Sequence, residues 1–113
     1  LGVTGSRMDH TLANIFLLEK LARLNIPARI INKNNQIHLV RDFIELKGGP
    51  KDFLSIIPIT NKVTGVTLKG LEYPLTNKTL EMGSCLGISN SFKKNLASVS
   101  IKNGCLIVIK SKD

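Results

Sequence analysis

Residues 97–110 read "ASVSIKNGCLIVIK", and the chain's strand signal is strongest there. Val99 and Ile101 alternate with Ser98 and Ser100, the period-two pattern of a half-buried strand. From Cys105 to Ile109 the alternation gives way to five apolar residues in a row. A strand apolar on both sides belongs at the centre of a sheet. Asn103-Gly104, between the two segments, is the dipeptide favoured for a type I′ turn. The expectation is a hairpin. Ile101 would face Leu106 and Val99 would face Val108, while Ser98 and Ser100 meet Ile109 and Ile107 on the other side.

Upstream the same period recurs. "ARIIN" (28–32) and "QIHLV" (36–40) flank "KNN" as a second hairpin, followed by "FIEL" (43–46). After the break at Gly48-Gly49-Pro50 come "FLSIIPIT" (53–60) and "VTGVTLKGL" (63–71). Short strands at close spacing with no helix between them predict a mainly β, antiparallel sandwich or barrel. Residues 73–95 read as a long loop whose middle is richest in loop formers: Gly83, Ser84, Gly87, Ser89 and Asn90. A loop of that length in a compact domain is usually functional or disordered.

One helix precedes the strands, expected over 7–24. Ser6-x-x-Asp9 resembles a capping box, and Asn25 with Pro27 can end the helix. Leu12, Ile15, Phe16, Leu17, Leu18, Leu21 and Leu24 give it an apolar face wider than one small sheet covers. Its first turn differs from the rest, placing Arg7, Asp9 and His10 together. Residues 7, 10 and 14 fall on one ridge of a helix, so Arg7, His10 and Asn14 line up. Free N–H groups and the positive dipole end suit a phosphate there. Arg7 could grip phosphate oxygens, and Asp9 could ligate Mg²⁺. Equally, Asp9 could be only a cap and Arg7 only a solvated end.

The 113 residues amount to one domain, and 42% of them are apolar, enough for a core. Sixteen Lys and Arg against eight acids give a net charge of +8. The basic residues are dispersed, with Lys93-Lys94 the longest run, and aromatics number four Phe, one Tyr and no Trp. Base-stacking platforms and a dense cationic patch are therefore lacking, which argues against a nucleic-acid binder. No apolar run nears the roughly 20 residues that span a bilayer, so no membrane partner is expected. Cys85 and Cys105 lack metal-site spacing and are expected to be thiols in a reducing compartment. His38, between Ile37 and Leu39 with no acid beside it, is expected on a strand surface. Phe92 could pack on a ligand ring, although a core role is the commoner one for a Phe in a β-domain.

"TGSRMDHTLANIFLL" (4–18) resembles the Gly-Gly-Arg-Leu-Asp-His-Thr-Leu-Ala-Asn pattern of the thiamine pyrophosphokinase family, with Ser6 and Met8 as departures. "SIIPIT", "VTGVTLKGLEYPL", "GSCLGISN" and "VSIKNGCLIVIKSKD" extend the resemblance in order along nearly the whole chain. It implies an ATP-dependent pyrophosphotransferase that makes thiamine diphosphate and AMP, with Mg²⁺ as cofactor. By the resemblance Arg7 and Asp9 are catalytic, with Asp9 on Mg²⁺, and Arg7, His10 and Asn14 bind ATP phosphates. Gly87, Ile88, Ser89 and Asn90 would line the thiamine pocket, where a hydroxyl and an amide suit the aminopyrimidine edge.

The resemblance further implies that 1–26 close an α/β catalytic domain and that 27–113 form the thiamine-binding β-sandwich. A cytoplasmic homodimer with shared active sites is implied as well. The family's Asp-rich ATP-binding motifs are not among these residues. The chain begins at Leu1 without Met, so it reads as the C-terminal portion of a longer enzyme and is expected to be inactive alone. Two rival readings are a non-catalytic small-molecule-binding β-sandwich module and a basic nucleic-acid-binding domain.

Overall fold

A computed structural model describes residues 8–26, 28–31 and 33–112, the side chains of Met8 and Thr11 excepted. It contains α1 (Met8–Arg23) and nine strands: β1 (Arg29–Ile31), β2 (Asn35–Val40), β3 (Phe43–Lys47), β4 (Asp52–Pro58), β5 (Lys62–Lys69), β6 (Leu75–Glu81), β7 (Asn90–Ser91), β8 (Leu96–Ser100) and β9 (Leu106–Lys112). One sheet runs β1-β2-β9-β4-β7 and the other β3-β8-β5-β6, with all neighbouring strands antiparallel. The expected mainly β sandwich with one leading helix is what forms.

β9 is central, as its apolar run requires, lying between β2 and β4. Its two faces enter different cores. Leu106 and Val108 point inward with Val40, Leu54 and Ile56, and meet Val63, Val66, Leu68 and Val99 of the opposite sheet. Ile107 points outward and packs with Ile37 against Leu18 of α1, fringed by Ile15, Leu39, Ile57 and Ile109. Side chains fully enclosed in this way contribute about 1.5–3 kcal/mol each. The helix ends in a Schellman arrangement. Asn25 sits at φ 59°, its N–H bonds Ala22 O at 3.0 Å, and Ile26 N–H bonds Leu21 O at 2.9 Å.

Three expectations need correction. β8 and β9 form no hairpin: β8 pairs with β3 and β5, β9 with β2 and β4. The chain crosses between sheets at 101–105, where Lys102 N–H bonds Thr64 O at 2.8 Å and Ile59 N–H bonds Cys105 O at 3.1 Å. Gly104, at φ +100°, supplies that corner, since a Cβ there would stand 2.6 Å from Lys62 O. Val99 and Val108 do share a core, but they face each other from opposite sheets. Second, residues 75–81 of the long loop are strand β6, an edge strand whose solvated Thr76, Asn77, Lys78 and Thr79 hide its period. Third, His38 is buried, 7% exposed, in register with Arg29 on one side and Val108 on the other. Burial first, then the charges of Arg29 and Lys110, lower its pKa below the usual histidine value. Phe92 belongs to the inner core.

Candidate functional site

β7 is only two residues long, opposite Phe53 and Leu54 of β4. The next register position sets Ser89 against Ser55, and there the ladder stops because Ser89 adopts φ 56°. Ser89 N–H would otherwise lose its partner. The Ser55 hydroxyl accepts it instead, at 2.9 Å. One step further Ile56 N–H donates to Gly87 O at 2.9 Å. Gly87 is buried so tightly that a Cβ would overlap the Ile56 side chain. Glycine is required by close approach here.

Asn90 shares the inward side of β7 and is 5% exposed. Its Oδ1 accepts Tyr73 N–H at 2.9 Å, and its Nδ2 donates to Tyr73 O at 2.8 Å. Around this clamp Glu72 N–H bonds Ser91 O at 2.9 Å, Lys93 N–H bonds Gly70 O at 3.0 Å, and Leu71 bridges to Phe92. Segments 70–73 and 90–93 are thereby zipped together across the open end of the sandwich. Ile88, Ser89 and the ring of Tyr73, which is 70% accessible, stay exposed, beside the charged Glu72 and Lys93. The arrangement offers a hydroxyl, an aliphatic side chain and an aromatic ring on a backbone already fixed.

Of the loop residues singled out in the sequence, the structure therefore brings Gly87, Ile88, Ser89 and Asn90 onto one braced turn. It gives Asn90 a bracing contact and adds Tyr73, which the sequence reading did not select. The available signal was modest: Tyr73 is the chain's only tyrosine and directly precedes Pro74.

The helical group looks different. Asp9, His10 and Asn14 are all exposed, with Asp9 Oδ2 lying 3.9 Å from His10 Nε2. Arg7 lies outside the described residues. Among the described residues no three His, Cys, Asp or Glu side chains gather as a metal site. Mg²⁺ needs only one or two carboxylates when phosphates and waters complete its shell, so Asp9 fits as a single ligand.

A cleft of about 630 Å³ lies elsewhere, at the C-terminal end of α1, lined by Leu18, Ala22, Ile26, His38, Arg41 and Ile44 among others. Its charged groups are already engaged within the fold: Arg41 donates to Ala22 O at 3.2 Å, and Asp42 accepts Phe43 N–H. Cys105 is buried and its thiol is pushed up to about 11, chiefly by burial and further by Glu19, against the pull of Arg41. Cys85 is exposed, and both thiols are free. Among the described residues no helix is long and apolar enough to cross a membrane.

Fold and loop together define a β-sandwich domain with a pre-formed polar turn at one sheet edge. Residues 35–106 match the family model for the thiamin pyrophosphokinase vitamin B1 binding domain, and the chain belongs to that family. It is 39% identical over 114 aligned residues to thiamine pyrophosphokinase of Bacillus subtilis, covering 99% of this chain and 53% of that protein. The crystal structure of the Bacillus subtilis enzyme superposes with a TM-score of 0.87 at 37% identity, covering 95% of this chain and 51% of the other. That of Geobacillus thermodenitrificans thiamin pyrophosphokinase gives 0.83 at 32% identity, covering 95% and 50%. The chain thus spans about half the length of the relatives it matches.

Proposed function

We propose that this chain supplies the thiamine-binding part of a thiamine pyrophosphokinase. The enzyme transfers the β,γ-pyrophosphoryl group of ATP to the hydroxyethyl oxygen of thiamine. An O–Pβ bond forms, the Pα–O–Pβ bridge opens, the hydroxyl proton departs, and thiamine diphosphate and AMP result. The observation that carries this reading is the turn 87–90, held rigid by side-chain and backbone bonds and falling within the family match. A fixed acceptor positions its nucleophile before reaction, and positioning is most of what phosphoryl-type transfer asks of a protein.

In this reading Ile88 and Ser89 touch thiamine, while Gly87 and Asn90 hold the turn. Arg7, together with His10 and Asn14 of the first turns of α1, engages the nucleotide phosphates, and Arg7 with Asp9 serves the transfer. Asp9 would hold Mg²⁺, which when bound neutralises charge on the phosphates. Residues 1–26 close the ATP-binding domain and 27–113 form the thiamine domain. Two subunits pair so that each active site draws on both. The free thiols suit the cytoplasm, and the dispersed lysines and sparse aromatics favour small substrates over nucleic acid.

The test is kinetic. Ser89→Gly is compatible with the φ of 56° and removes the whole hydroxymethyl side chain. In the intact protein, with Mg²⁺, it should raise the KM for thiamine several-fold while leaving that for ATP unchanged. Equal shifts in both constants would contradict the assignment.

A further inference from the structure

Resting on that reading of the turn, we infer that Ser55 and Asn90 act as a pair of positioning residues that preset the thiamine site without touching thiamine. Ser55 sits on β4, outside the loop altogether, 34 positions from the residue it holds. Its hydroxyl stands where the next ladder hydrogen bond would have come from. It lets Ser89 leave the ladder at φ 56° with its N–H still bonded within the protein. A non-glycine residue in that conformation costs energy and persists only where its surroundings enforce it.

Asn90 works from the other side. The sole side-chain oxygen and one of the two amide hydrogens are spent on the Tyr73 backbone. Pointing inward opposite Leu54, the amide ties β7 of one sheet to the segment that follows β5 of the other. Ser55 ties the turn to β4 of its own sheet, and Asn90 ties it to the segment after β5 of the other. With either gone, the exposed groups of Ile88, Ser89 and Tyr73 keep their chemistry but lose their relative placement. Preorganisation of this kind shows in affinity, because the ligand must then order the loop itself.

The experiment uses the chain's only tyrosine as reporter, there being no tryptophan. Thiamine is titrated against Tyr73 fluorescence at a temperature where every variant is folded. Ser55→Ala should weaken binding about tenfold, and Ser55→Thr, which returns a hydroxyl, should restore most of it. Asn90→Asp keeps the acceptor but loses the donor to Tyr73 O, and should weaken binding likewise. It should do so by the same factor for an analogue carrying oxygen in place of the pyrimidine amino group. A direct Asn90 contact would instead make the two factors differ, which overturns the positioning role. Unchanged affinity in Ser55→Ala, with Ile88→Ala weakened, also overturns it while sparing the site. If Ile88→Ala and Ser89→Gly bind thiamine normally, the site itself is misplaced and the proposal falls with it.

Discussion

The turn 87–90 and the first turns of α1 are both polar stretches beside an apolar scaffold, yet they are built in opposite ways. The turn is closed by its own protein. Ser55, Ile56 and the Tyr73 backbone occupy its hydrogen-bonding groups, and Gly87 is sealed against Ile56. Asp9, His10 and Asn14 stand open to solvent. A rigid turn is set for one small, neutral-edged ligand. An open helical ridge with one carboxylate is suited to share a highly charged ligand with other groups, including metal and water. On the proposed assignment, the contrast would separate the recognition of thiamine from the handling of phosphate.

The largest effect should come from the anchor of the helix. Leu18 is 4% exposed between Ile37 and Ile107, so Leu18→Ala should cost about 2–5 kcal/mol by denaturant melting. Phe16, two residues away on the opposite side of the helix at 66% exposure, should change stability by less than about 0.5 kcal/mol when cut to alanine. Similar losses for both would mean that the helix docks through a different face.

Next comes Gly87→Ala. Its new Cβ has only Ile56 to displace, and overpacking of this kind costs about 1–3 kcal/mol. Calorimetry should show that loss together with the disappearance of thiamine binding. Full binding would mean that the turn is not rigid.

A smaller and pH-dependent term comes from His38. Its folded pKa lies below the unfolded one, so the unfolded chain takes up the proton more readily. The stability that neutral His38 allows is complete above the unfolded value near 6.5 and is lost as pH falls through it toward the lower folded value. Melting temperature should decline between pH 7.5 and 5, and less steeply in His38→Gln. Parallel declines would assign the effect to other groups. The smallest change belongs to Asn14→Ala, exposed on the open ridge. It should leave stability within about 0.5 kcal/mol and raise the KM for ATP rather than for thiamine.

Most of the fold was legible because alternation reports burial of one face, and β2, β4, β5 and β9 alternate or run apolar according to whether one face or both are covered. At 98–109 Asn103-Gly104 suggests a hairpin that the burial pattern of the two flanking strands opposes. Ser98 and Ser100 show that β8 has a solvated face, whereas Ile107 and Ile109 show that β9 has none. Strands so different belong to different layers. β6 was hidden by being an edge with four exposed residues in a row. The burial of His38 is not visible locally because its strand neighbours in register, Arg29 and Val108, lie elsewhere in the sequence. In the site, "GISN" was visible as a motif, but the commitment of the Asn90 amide to Tyr73 is a contact across 17 residues. No local pattern encodes it.

The central claim is that thiamine sits on the 87–90 turn and not in the cleft at the end of α1. Amide chemical shifts of the isotope-labelled chain, followed while thiamine is added, separate the two. The account predicts saturable shifts at Ile88, Ser89 and Tyr73, with Ala22, His38 and Arg41 unmoved. Shifts centred on Ala22, His38 and Arg41, with the turn silent, would contradict it.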